Sequence, residues 1–258
     1  MAKQFHIVCE GQTDIEIFKR IIKKVGQVQK DTYTTQIMFP PKSQQIGGWS
    51  TLRNWCLAQA SALAGNTQRA LGAAQALGAT PTNFAASKSK DKIAAALSLI
   101  TNPAATNNKF IIIHLDTDIA HHISAQFNFA PAPPVTIADR ISICDQALDS
   151  WLGGHLAKKG TKIFYCLTSL AIENWILTLH PHANIVHATG INVPTQYDDI
   201  LNPDQCLVSL GYKSEKNGQL RKKPKLYESY GADIANNLQT SRNRSRILDN
   251  FCTTIISA

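Results

Sequence analysis

Little in this chain marks a secreted, membrane-bound or zinc-organised protein. Its six cysteines, at 9, 56, 144, 166, 206 and 252, form no C-x-x-C pair, and Cys9 and Cys166 stand inside apolar runs. That pattern excludes a zinc ribbon and points to reduced core thiols of an intracellular protein. No apolar run approaches the roughly 20 residues that span a bilayer, so no membrane partner is expected. A strand starts almost at once and leaves no room for a leader, so a cytoplasmic location is expected. No G-x-x-x-x-G-K-[ST] run is present, so the chain brings no P-loop. Charge is also scarce in one region: Arg69 is the only ionised side chain between Arg53 and Lys88. That stretch is expected to pack against protein.

What is present suits one large domain. The chain has 258 residues, 44% of them hydrophobic, which is enough for a sizeable core. Net charge is +8, which favours a polyanionic partner. The excess is local. Residues 213–246 hold nine Lys/Arg against three acids, +6 of the total. Arg221, Lys222, Lys223, Lys225, Arg242, Arg244 and Arg246 are therefore the candidate nucleic-acid contacts.

Apolar periodicity orders the elements. "QFHIVCEG" reads as a strand and "TDIEIFKRIIKKV" as an amphipathic helix with Ile15, Phe18, Ile22 and Val25 on one face. "YTTQIMFP" is a second strand, stopped by Pro40–Pro41. Residues 50–105 read as an Ala-rich helical insertion. "KFIIIHLDTD" is a near-continuous apolar strand, as expected where both faces are covered. Residues 137–158 read as a helix, "KIFYCLT" as a strand and "LAIENWILTLH" as a helix. A basic helical extension over about 203–258 ends with helices in "LYESYGADIANNLQ" and "RSRILDNFCTTI". Strands alternating with helices predict an α/β fold with a mainly parallel sheet.

In such sheets function gathers beyond the carboxyl ends of the strands. Glu10 follows the first strand, Asp116 and Asp118 the third, and Glu173 the fourth. Each alone has a plain reading: a helix cap, a turn, an exposed helical position. Acids brought together repel, and a cation or shared proton offsets that cost. Oxygen donors without His or Cys suit Mg²⁺ or Mn²⁺.

These segments resemble a known family. "VCEGQTD" resembles the Glu-Gly motif of the Toprim fold, and "IIIHLDTD" its Asp-x-Asp motif. "TSLAIENWIL" and "KPKLYESYG" are most similar to the OLD and RloB-like branch of Toprim nucleases. The resemblance implies a Toprim-like, Rossmann-like sheet and metal-dependent phosphodiester cleavage of DNA or RNA, tRNA included, as the effector of a bacterial anti-phage defence system. It implies two ions, with Glu10, Asp14, Asp116 and Asp118 holding one, and Glu173 with Ser169 serving the second. Lys225, preferred to Lys223, would steady charge on the phosphate. A separate ATPase or sensor is the expected partner, since this chain has no P-loop. Ala120 stands where topoisomerase-type Toprim domains often carry a third alternate acid, which argues against that branch. Two other readings stay open: a non-catalytic nucleic-acid-binding or assembly subunit, and a sugar-nucleotide transferase using the Asp-x-Asp, which would leave Glu10 and Glu173 unexplained.

Overall fold

The computed structural model describes residues 2–40, 48–61, 108–130, 133–153 and 162–258. Strand β1 (Lys3–Val8) leads through α1 (Gln12–Val28) to β2 (Tyr33–Phe39), and a helix over 49–61, α2, follows. Strand β3 (Lys109–Asp116) passes a 3-10 turn, Thr117–Ile119, into α3 (Ala120–Phe127) and α4 (Ile137–Trp151). After β4 (Ile163–Thr168) come α5 (Glu173–Leu177), α6 (His182–Thr189), a second 3-10 turn (Tyr197–Asp199) and α7 (Pro203–Ser209). The chain ends with α8 (Pro224–Asn236), α9 (Leu238–Arg244) and α10 (Arg246–Ser257). Of the expected insertion at 50–105, only the part up to residue 61 falls within the described residues, and it is helical.

The sheet is four-stranded and all parallel, in the order β2-β1-β3-β4. Period-two alternation fills both faces. Phe5, Ile7, Phe110, Ile112 and Cys166 enter one core, with residues of α1, α5, α8 and α10. Val8, Ile111, Ile113, Leu115 and Leu167 enter the other, with α2, α3 and α4. This is a three-layer α/β/α arrangement. Trp49 begins α2 and stacks 6.3 Å from Trp151, so it is a packing residue.

The C-terminal helices are less an extension than a wall of the first core. Helix α8 runs against α1, and Gly231 marks the closest approach: a Cβ there would stand 2.9 Å from the Ile17 Cα. Phe251 of α10 meets Phe18 edge-on at 5.1 Å, and Trp175 at 5.7 Å.

Two expectations need correcting. The "LAIENWILTLH" helix shrinks to Glu173–Leu177, because Pro181 disfavours helix at the residue before it and the carbonyls of Thr178 and His180 turn to Arg244. Helices α6, α7 and α9 add to the expected elements; they are short and weakly periodic, so the apolar pattern does not announce them. No helix among the described residues is long and apolar enough to cross a membrane.

Candidate active site

The strand order sets where a site can form. From β1 the chain crosses outward to β2, and from β3 it crosses the other way to β4. The reversal opens a crevice beyond the carboxyl ends of β1 and β3. Glu10 leaves β1 into it, and Asp116, the last residue of β3, borders it.

Glu10 is not a cap. The α1 N-cap is Gly11, and the carboxylate serving it is Asp14, whose Oδ2 accepts the Gly11 N–H at 3.0 Å. Asp14 Oδ1 accepts the Thr13 hydroxyl at 3.1 Å. Both oxygens of Asp14 are thus engaged within its own helix turn. The residue expected among the metal ligands instead fixes the helix start and faces His114.

Glu10 Oε2, by contrast, is buried with no hydrogen-bond partner. Burial, then the charges of Asp116, Asp14 and Asp118, push its carboxyl up to about 8. Asp118 is pushed up to about 6, first by desolvation and then by Asp116, with Lys222 opposing. Burial alone would raise Asp116 as well, but His114 and the Thr168 hydroxyl hold it below its ordinary value. That hydroxyl donates to Asp116 Oδ1 at 2.6 Å.

His114 was missed by the sequence reading. It is wholly buried, with Nδ1 3.5 Å from Asp14 Oδ2 and Nε2 3.3 Å from Asp116 Oδ1. Burial disfavours its charge, yet Asp116 and Asp14 outweigh this and raise the imidazole well above its ordinary range. The available signal was period two: His114 and Asp116 share one face of β3.

Glu173 arrives from the β4 side, 1% exposed. Burial pushes it up to about 7, with Lys222 pulling the other way. Its Oε1 accepts the Tyr227 hydroxyl and lies 2.9 Å from Lys222 Nζ, while Oε2 is buried without a partner. Ser169 Oγ is likewise buried and unpartnered, and Asp116 is among the charges felt at Glu173. Lys222 also reaches Asp204 Oδ2 at 3.3 Å. The lysine in this cluster is therefore Lys222, not Lys225, which is exposed on the first turn of α8. Neither Asp204 nor the placing of Lys222 was legible, because Asp204 comes from the first turn of α7 and Lys222 follows a hairpin closed by the Ser214–Leu220 bridge, and only packing brings the two together.

The other basic candidates divide. Arg244 donates to the carbonyls of Thr178 and His180 at 2.7 and 3.0 Å, which makes it a structural strut. Arg242 pairs with Asp249 at 2.7 Å, Arg221 with Glu215 at 3.1 Å, and Arg246 lies 3.9 Å from Asp199. Lys223 and Lys225 are exposed.

Among the described residues, no three His, Cys, Asp or Glu side chains already stand as a ligand shell. The fit for a hard cation rests instead on the unpartnered buried oxygens of Glu10, Glu173 and Ser169 and on an all-oxygen donor set. All six thiols are buried and unpaired, and burial pushes Cys9 up to about 12, which suits core packing rather than chemistry. Comparison of the chain with protein-family models, curated proteins and solved structures finds no match.

Proposed function

We propose that this chain is a divalent-metal-dependent nuclease, as its Toprim-like motifs imply, cutting phosphodiester bonds of DNA or RNA. One observation carries the reading. Mutually repelling acids surround buried oxygens, Glu10 Oε2 and Glu173 Oε2, that no protein group satisfies. A hard cation removes both penalties at once. Glu10, Asp116 and Asp118 would hold one ion, and Glu173 with Ser169 a second. Bound there, Mg²⁺ or Mn²⁺ supplies an activated water and polarises the phosphoryl oxygen.

The chain's own groups prepare the site. Thr168 orients Asp116 by donating to Oδ1, His114 Nε2 lies 3.3 Å from the same oxygen, and Asp14, which His114 Nδ1 faces at 3.5 Å, anchors α1. Tyr227 aims Glu173 by donating to Oε1. The Lys222 ammonium, 2.9 Å from Glu173, would meet a non-bridging phosphate oxygen and offset the charge that develops in the transition state.

The test is incubation of the protein with plasmid, single-stranded DNA and total tRNA, with Mg²⁺, with Mn²⁺ and with EDTA. Cleavage that EDTA and Glu10→Gln both abolish supports the reading. A non-catalytic binding subunit is the alternative, favoured by Lys222 already facing both Glu173 and Asp204 without an ion. Nucleic-acid binding indifferent to EDTA, with no cleavage under either ion, would establish that alternative.

A further inference from the structure

A cleft of about 840 Å³ opens off the carboxylate crevice and shares Asp118 and Lys222 with it. One wall is the hairpin over 213–221, tightened by the Glu215 N–H to Gln219 carbonyl bond at 2.7 Å and by Gly218 at φ +81°. The other wall is the start of α7, including Asn202 and Gln205, and Leu170 lines the cleft as well. Its volume falls within the roughly 300–1,000 Å³ of small-molecule sites.

Two of the acids lining this space, Asp204 and Glu215, each face a cation. Lys222 faces Glu173 and Asp204, and the Arg221 guanidinium pairs with Glu215 through two N–H groups at 3.1 and 3.4 Å. Lys222 is the one lysine or arginine among the lining residues, so the cleft beyond it offers a phosphate no cation. What the cleft does offer is apolar surface and amides. Leu201 is 68% exposed at its edge, and Leu220 lies inside. The side-chain amides of Asn202 and Gln205 have no hydrogen-bond partner among the described residues. Apolar faces with donor and acceptor edges are the chemistry of a nucleobase.

We propose that this cleft receives one unpaired nucleobase of the strand whose phosphate meets Lys222 and Asp118, and so directs the site to single-stranded or looped nucleic acid. This rests on the nucleic-acid reading of the carboxylate site. A base inside a duplex is stacked and paired and cannot enter without being extruded. The adjoining phosphate, by contrast, need not enter: Lys222 belongs to the carboxylate site as well as to the lining, so base and phosphate separate by chemistry.

The experiment is fluorescence anisotropy in Ca²⁺, using a short labelled single-stranded oligonucleotide and the same sequence as a duplex. Wild type is compared with Leu201→Glu and Gln205→Ala, both surface changes that leave the core intact. The expected result is single-strand binding about tenfold tighter than duplex, with Leu201→Glu removing most of that advantage and Gln205→Ala part of it. Equal affinity for the two forms, or a preference unchanged in Leu201→Glu, overturns the proposal, as does preferential binding of a lysine-rich peptide. A single-strand preference lost in Leu201→Glu, in a protein that never cleaves, upholds the base cleft and removes the nuclease reading. Cleavage of duplex and single strands alike does the reverse.

Discussion

Replacing Glu10 by Gln should shift the stability of the metal-free protein relative to wild type by an amount that grows with pH, in favour of the variant at high pH. The carboxyl rises from 4.5 to about 8 in the fold, chiefly through burial and then through Asp116, Asp14 and Asp118. An acid whose folded pKa lies above its unfolded one folds best when protonated. Its penalty is therefore absent below pH 4.5, grows as pH rises, and is complete above pH 8. At about 1.4 kcal/mol per tenfold, the cost is on the order of 3 kcal/mol at pH 7 and roughly 1 kcal/mol at pH 5. The amide never ionises, but it leaves a buried polar group unpartnered, at about 1–3 kcal/mol. Wild type should thus match or exceed Glu10→Gln near pH 5 and fall below it near pH 9. At roughly 2–4 °C per kcal/mol for a chain of this size, the melting temperatures should cross over a span of several degrees. Calorimetry of both proteins in EDTA from pH 5 to 9 measures this. Adding Mn²⁺ at about 100 times its Kd should then stabilise wild type by roughly 2.7 kcal/mol and the variant far less. A difference between the two proteins that stays constant with pH would refute the crowded-carboxylate account of Glu10.

Lys222→Met should lower single-turnover cleavage by about a hundredfold, the scale of losing one preorganised charge, while Lys225→Met stays near wild type; equal effects would return the role to the α8 lysine. Arg244→Gln should lower the melting temperature, because it strips donors from the Thr178 and His180 carbonyls, yet leave the salt dependence of oligonucleotide binding unchanged. Lys223→Gln with Lys225→Gln should flatten the log–log salt slope by roughly 0.7 for each single-strand phosphate no longer neutralised; an unaltered slope would make both lysines mere surface charge. Ser245→Ala should cost about 1–3 kcal/mol, read by denaturant titration, because its hydroxyl caps the Leu248 N–H at 3.0 Å and donates to buried Asp198 at 2.7 Å.

Much of the scaffold was legible because its signals are local. The apolar runs of β1, β3 and β4, the spacing of Ile15, Phe18, Ile22 and Val25 on α1, and Pro40 after β2 each act over a few residues. Their alternation implied a parallel α/β sheet, and that in turn placed Glu10, Asp116, Asp118 and Glu173 at strand ends. Division of labour among the polar groups was not legible. Asp14 and Glu10 stand four apart with one chemistry, yet one caps α1 and the other is left buried and unsatisfied. Lys222 and Lys225 sit in one basic run, yet only Lys222 turns into the acids, because the hairpin before it fixes the direction in which it leaves. Arg244 looks like a surface charge until α5 ends beside it and offers two carbonyls. Periodicity reports which face a residue occupies, a property of its own strand or helix. Which charge meets which depends on segments that lie far apart in the chain, such as Asp14 with His114 or Glu173 with Lys222, and only packing brings those together.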